Sequence, residues 1–378
     1  MIYLNNASTT FPKPESVMSA IESNIRTAPF NYGRSGTGRG EKNIVNDTRQ
    51  LIKAFFNAGE NYHCVFTSGS TEALNLAIKG LNLNGCNVVI TASEHNSVIR
   101  PLKYLEGLGI ISITVVPCDK TGFVQPEKIF EYITDNTKLV CVNHCSNVTG
   151  TLQDISSITE LAHKKDCLVL IDGSQSAGCT DIDLDKIDAD IFCFTGHKSL
   201  YGLQGTGGII FRKSIPLTPL KQGGTGTNSL MIVQPDEFPT KYESGTMNIP
   251  GICSLEAGIK WVMETSLDNI IKRKKEMINY VHFELSKFED ITFYYNAEKS
   301  SGSLLSFNIS DIEPEEINYI LSNSFDISIR SGIHCAALIH SYLGTRKAGT
   351  LRISPSYFTT YEEIDKFIQA MKKIVKSL

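Results

Sequence analysis

Residues 190–211 read "DIFCFTGHKSLYGLQGTGGIIF" and place a lysine, Lys198, directly after a short apolar run. Three glycines (Gly196, Gly202 and Gly205) crowd the stretch before a second apolar run, "GGIIF", begins at Gly207. A charged group at the end of a buried strand is costly unless paired or used covalently. Lys198 is therefore paired, covalently engaged or a local nuisance, and the rest of the chain must decide between these.

Outward from this stretch the same pattern recurs. Between about residues 64 and 212, helical patterns alternate with "CVFTS", "NVVITA", "ISITVV", "LVCVNH", "LVLID", "DIFCF" and "GGIIF". Continuous apolar runs bounded by turn signals read as strands buried on both faces, as in a parallel sheet covered by helices. Alternation of strand and helix predicts an α/β layer architecture. Residues 214–251 then turn rich in proline and glycine, a long loop too extended to be idle connection. A helical stretch from about Cys253 through Phe288 follows. The remainder reads as a smaller α+β unit, closing in a helix with a capping box of Thr360 and Glu363.

Composition narrows the function classes. The chain has 378 residues, 41% hydrophobic and 20% charged, with a net charge of −4 and no long block of one sign. Nucleic acid and anionic membranes gain no support from this. No signal peptide is visible, and no apolar run approaches the ~18–20 residues that span a bilayer. Ten cysteines are scattered without any C-x-x-C pair, and "CVNHC" has the wrong spacing for a zinc knuckle, so no metal site is expected. Cysteines inside apolar runs behave as small hydrophobes, which predicts a reducing, cytoplasmic compartment.

In an open α/β sheet, ligands lie beyond the carboxyl ends of the strands. Read in turn, those ends carry "TSGSTEALN", where Ser70 and Thr71 precede a helix starting near Glu72, and "SEHNS" with His95. They also carry "NHCSNVTG" with Asn147, and "DGSQSAG" with Asp172 and Gln175. Taken singly, each is ambiguous. Ser70 and Thr71 suit a phosphate cradle or a plain N-cap. His95 and Asn147 suit ordinary structural roles as well as a ligand. Asp172 could simply cap the next helix. Together with Lys198, 26 residues after Asp172, they supply what pyridoxal phosphate demands. That cofactor needs a lysine to bind covalently, an acid on its ring nitrogen, a cradle for its phosphate and a donor to its ring oxygen.

Here the chain resembles the aminotransferase class V, fold-type I pyridoxal-phosphate enzymes, and among them the cysteine desulfurases. The likeness extends from "YLNNASTTFP" to "LRISPSYFTTYEEID", with "TGHKSLYG", "ESGTMN" and "IRSGIHCA" its most specific motifs. It implies a large domain over 15–255 holding a mostly parallel seven-stranded sheet between helices. A small α+β domain would combine 1–14 with 256–378. Lys198 would carry the cofactor, Thr195 and His197 would join Ser70 and Thr71 at the phosphate, and His95 would stack on the ring. Asn147 and Gln175 would bond the ring oxygen and Asp172 the ring nitrogen, with Thr246 reaching the partner's phosphate across a homodimer.

The resemblance further makes Cys335 the nucleophile that takes sulfur as a persulfide, and Arg352 the clamp on the substrate carboxylate, assisted by Asn147 and Arg34. Cys335 follows a Ser-Gly turn beside His334, ahead of a segment with Gly344, Arg346, Lys347 and Gly349, and nearby cations would favour its thiolate. The 17-residue interval to Arg352 is similar to the short-loop subgroup, which also handles selenocysteine and passes sulfur to a protein acceptor. Ile333 and Gly33 stand where relatives often carry histidines. L-cysteine or selenocysteine is thus the expected substrate. An aminotransferase or β-lyase would share the cofactor residues without needing Cys335. A sulfur-carrier or scaffold protein would keep Cys335 but not need both Lys198 and Asp172.

Overall fold

The seven apolar runs pair into one sheet. The structure, a computed structural model, describes residues 1–26, 43–227 and 229–377. Gly33 and Arg34 lie outside the described residues. The chain begins with β1 (Ile2–Tyr3), α1 (Glu15–Arg26), α2 (Ile44–Phe55), β2 (Tyr62–Thr67), α3 (Ser70–Gly80), β3 (Asn87–Thr91) and α4 (Asn96–Gly107). It continues through β4 (Ser112–Val116), α5 (Pro126–Tyr132), β5 (Thr137–Asn143), α6 (Ile155–His163), β6 (Leu168–Asp172), α7 (Leu184–Ile187), β7 (Ile191–Thr195) and β8 (Gly207–Arg212). The large sheet has the order β2-β8-β7-β6-β5-β3-β4. Only β8 opposes its neighbours, pairing antiparallel with both β2 and β7.

Period-two alternation explains why both faces are buried. Val89, Val140, Val142, Val169, Ile171, Phe192 and Phe194 join α2, α6 and α8 (Ile249–Thr265) in one core. Val88, Ile90, Leu139, Cys141, Leu170, Ile191 and Cys193 join α3 and α4 in the other. Each strand thus feeds two cores, and its sequence reads as an unbroken apolar run.

The helical stretch expected from Cys253 through Phe288 is two helices, α8 and α9 (Leu267–Leu285). Ser266 divides them with φ +71°, a left-handed backbone that neither glycine nor proline signals in the sequence. Beyond lie β9 (Ile291–Phe293), β10 (Leu305–Ile309), α10 (Pro314–Phe325), β11 (Ile327–Ser328), α11 (Ile339–Leu343), β12 (Leu351–Ile353) and α12 (Tyr361–Lys376). These build the smaller α+β domain, with an antiparallel sheet of order β12-β10-β9 under α9, α10 and α12. The N-terminus joins it: β1 pairs parallel with β11, and Leu4 enters its core. The capping box of Thr360 and Glu363 opens α12 as its sequence predicts.

Between β8 and α8 the described residues form no helix or strand, yet the segment is anchored. Arg49 and Glu243 make a buried two-pronged pair at 2.7 and 2.9 Å, and Glu243 also accepts from the Phe66 N–H. Breaking such a pair by removing one partner costs about 3–5 kcal/mol. Glu243 opens the "ESGTMN" motif, so this pair fixes the chain that presents Thr246.

Candidate active site

At the carboxyl edge of the large sheet a cavity of about 340 Å³ opens between the two domains. Ser70, Thr71, His95, Asn147, Asp172, Gln175, Thr195, His197, Lys198 and Arg352 all line it, although they come from positions scattered over the chain. Thr246 does not. It borders an adjoining cavity of about 160 Å³ that shares Ser68, Glu72 and Gly205 with the first.

The floor is built from strand ends. Helix α3 starts at Ser70, two residues earlier than expected, and its N-cap is Gly69, which offers no side chain. Among the described residues the Ser70 and Thr71 N–H groups have no partner and are left to an anion, while that of Glu72 donates to the Gly69 carbonyl. Gly69 has φ +150°, and a Cβ on Gly207 would lie 2.7 Å from the Gly69 Cα, so the turn and the strand pack glycine on glycine. Thr71 Oγ1 meets Ser97 Oγ at 2.8 Å, and Ser97 in turn contacts His95 Nδ1 at 2.9 Å. The Ser97 N–H donates to the same nitrogen, so the neutral ring carries its proton on Nε2. Burial, only partly offset by Asp172, pulls His95 down to about 4 and keeps it uncharged. His197 is likewise held near 4 by burial, and its Nδ1 is buried without a partner.

Asp172 is nearly inaccessible. Its Oδ1 accepts from the Ser174 N–H at 2.9 Å, the Ser174 hydroxyl and the Ser70 hydroxyl at 3.4 Å. Among the described residues Oδ2 has no hydrogen-bond partner, which leaves it available to an N–H from a ligand. Lys198 answers the question its position poses. No carboxylate reaches its amine within ion-pair distance among the described residues, so it is not a paired lysine. Burial lowers its pKa to about 8, with Asp172 opposing and Arg352 and Arg330 reinforcing. Lys198 is held in place by the N-terminal strap: Thr10 Oγ1 donates to the Lys198 carbonyl, and Lys13 Nζ donates to that of His197.

The two amides are partly committed. Asn147 Nδ2 donates to the His334 carbonyl and Gln175 Nε2 to the Ala7 carbonyl, each keeping a second N–H. Asn147 Oδ1 is buried with no partner among the described residues. Next to His95, Glu94 is fully buried; Oε1 accepts from the Asn143 N–H while Oε2 has no partner. Burial raises Glu94 to about 8, so this acid is protonated at neutral pH. An uncapped helix start, an acid with an open oxygen, an unpaired lysine and unpartnered polar atoms at Asn147 and His197 fit pyridoxal phosphate.

The small domain supplies the opposite wall. Arg352 is buried, and burial reinforced by Arg330 lowers it to about 9. Its Nη1 donates to the Asn147 carbonyl at 2.6 Å, while Nε is buried and has no partner among the described residues. Arg330 was not singled out by sequence, although it stands inside "IRSGIHCA". Its Nη2 lies 3.7 Å from the Cys335 sulfur. Cys335 is the one exposed thiol of the ten, next to Arg330 and His334, which line the cavity.

The neighbours expected to act on Cys335 are rearranged. His334 turns its ring to Thr350, with Nε2 at 2.9 Å from the carbonyl, and burial ahead of Arg352 and Arg330 depresses it to about 2. It is therefore uncharged, and Arg330 supplies the cation beside the sulfur. The segment after Cys335 is not all loop, since α11 occupies part of it. His334 and Cys335 hold φ +49° and +59°, costly for side chains of this size. Asn147 catches the His334 carbonyl, and the Asn96 N–H donates to that of Cys335 at 2.8 Å, so the strained turn is fixed.

Fold and site together define a fold-type I pyridoxal-phosphate enzyme. The Aminotransferase class-V family model matches residues 2–367. A probable cysteine desulfurase of Methanothermobacter thermautotrophicus is 33% identical over 99% of this chain and 94% of its own. One from Borreliella burgdorferi is 30% identical over 100% of this chain and 92% of its own. The solved apo structure of a cysteine desulfurase from Thermococcus onnurineus NA1 superposes with a TM-score of 0.89 at 28% identity, covering 100% of this chain and 95% of that one. The chain belongs to the aminotransferase class V family, in its cysteine desulfurase-like group.

Proposed function

We propose that this enzyme is a cysteine desulfurase, converting L-cysteine to L-alanine and leaving a persulfide on Cys335 for transfer to a protein acceptor. One observation carries the reading: an exposed thiol with the guanidinium of Arg330 3.7 Å away, Arg330 and the adjacent His334 both lining a cavity that fits the cofactor. Ser70, Thr71, Thr195 and His197 would hold its phosphate, Asp172 its ring nitrogen, Asn147 and Gln175 its ring oxygen, and His95 its ring face. When bound, the cofactor supplies an electron sink for the substrate's α-carbon. Lys198 would hold it and move the α-proton, a task suited to an amine brought near neutrality.

Arg352 offers its unpartnered Nε, with Nη groups beside it, to the substrate carboxylate. Cys335 Sγ then attacks the substrate sulfur. A sulfur–sulfur bond forms, the carbon–sulfur bond breaks, and the released electron pair takes a proton to complete the methyl group of alanine. The thiol has become a persulfide, and no external oxidant is required. Arg330 stabilises the attacking thiolate by its charge. Selenocysteine meets the same groups and is a second candidate substrate.

Product analysis tests the reading. Purified holoenzyme given L-cysteine should yield alanine, and mass spectrometry should find one added sulfur on the peptide bearing Cys335. Pyruvate and ammonia in place of alanine would identify a β-lyase, and an oxo acid with no sulfur released would identify an aminotransferase.

The reading includes a cytoplasmic homodimer with domains divided at 14/15 and 255/256. Thr246 lies outside the main cavity, as suits a group serving a second subunit, and Leu230, Met231, Ile232 and Val233 form an exposed apolar run on the same segment. No helix among the described residues is long and apolar enough to cross a membrane. Sedimentation at micromolar concentration should give a dimer, and a fully active monomer would exclude a shared site.

A further inference from the structure

We infer that the Ser8 hydroxyl is a positioning group that divides two arginines between two tasks, turning Arg352 to the substrate carboxylate and Arg330 to the Cys335 sulfur. This rests on the roles just proposed for Arg352 and Cys335. Ser8 sits on the N-terminal strap, at the wall of the main cavity. Its Oγ donates to Asn5 Oδ1 at 2.8 Å and accepts from Arg330 Nη1 at 3.0 Å and Arg352 Nη2 at 3.2 Å. A hydroxyl has one proton and two lone pairs, and here all three are in use. Because the proton goes to Asn5, both lone pairs face the guanidinium groups.

The two cations would otherwise repel across a shared wall. Neither has a carboxylate within ion-pair distance among the described residues. The Arg330 charge depresses Arg352, which reports how near they lie. An oxygen accepting from both holds them side by side while leaving each a free direction. Arg352 keeps Nε without a partner among the described residues, and Arg330 keeps Nη2 beside the sulfur. Asn5 closes the arrangement, since its Oδ1 accepts from Ser8 and from Arg352 Nη2 at 3.3 Å.

Removing this one oxygen should disturb both tasks without unfolding the strap. Asn6 N–H and Ala7 N–H bond Ser354, and Thr10 N–H bonds the His197 carbonyl, so the strap does not depend on Ser8. In holoenzyme, Ser8→Ala should weaken L-alanine binding about tenfold, the scale of one hydrogen bond to a charged donor. Alkylation of Cys335 by iodoacetamide at pH 7 should slow several-fold, because Arg330 loses its tether. In turnover with L-cysteine, KM should rise more than kcat falls. Ser8→Thr, which keeps the hydroxyl, should restore all three. Unchanged alanine affinity and alkylation rate in Ser8→Ala would overturn the assignment, as would a Ser8→Thr variant that behaves like Ser8→Ala. Alanine binding and alkylation need no sulfur transfer, so both are scored even if the wild-type enzyme fails to make alanine from cysteine.

Discussion

Lys198→Ala is expected to lower alanine formation from L-cysteine by at least about 10³-fold, because on the proposed roles it removes the covalent anchor and the proton carrier together. Proton transfer by one positioned side chain is worth about 10²–10⁴ in rate. The wild-type amine sits at about 8, pulled down chiefly by burial. At pH 7 roughly a tenth of it is then neutral, against about one part in three thousand for a lysine at its ordinary value. The neutral form is the nucleophile, so capture of pyridoxal phosphate by cofactor-free protein should accelerate as pH rises and level off above about 8. Borohydride should fix the cofactor on the peptide containing Lys198, and Lys198→Ala should retain none after dialysis. Fixation on any other lysine would move the anchor elsewhere.

The sheet was legible because both of its faces are covered. Runs such as "NVVIT" and "IFCFT" need no polar face, and their unbroken apolarity is itself the signal. Lys198 and Asp172 stood out for the same reason, as charges ending runs that tolerate none. What stayed hidden depends on side-chain direction or on distant partners. His334 is adjacent to Cys335 in sequence, but a left-handed backbone sends its ring to Thr350. Arg330 and Ser8 are 322 positions apart and meet only because β1 pairs with β11. No local pattern encodes that meeting. The break at Ser266 and the buried acid at Glu94 are likewise products of packing rather than of propensity.

Cys335→Ser should abolish sulfur transfer while sparing everything that precedes it. On the proposed roles, cofactor retention would depend on Lys198, Asp172 and the start of α3, and carboxylate binding on Arg352, none of which the substitution alters. A serine hydroxyl is a far weaker nucleophile toward sulfur, and at neutral pH the Arg330 charge has no thiolate to stabilise. Alanine production from L-cysteine should therefore fall by about 10²-fold or more, the loss expected when a covalent route is closed. The variant should still bind L-cysteine and L-alanine with wild-type affinity, and brief exposure to L-cysteine should add no sulfur to its peptide 331–346. None of the other nine cysteines can replace it: seven are buried, and the two partly exposed ones, Cys86 and Cys118, have no sequence neighbour lining the cavity, whereas Cys335 follows His334, which does. Selenocysteine should be partly spared, because a weaker carbon–selenium bond asks less of the nucleophile. That difference separates the two substrate readings, since an enzyme built for selenocysteine would lose little with Cys335→Ser. Alanine formed from L-cysteine at the wild-type rate by this variant would show that the carbon–sulfur bond breaks without Cys335 and would remove the persulfide step.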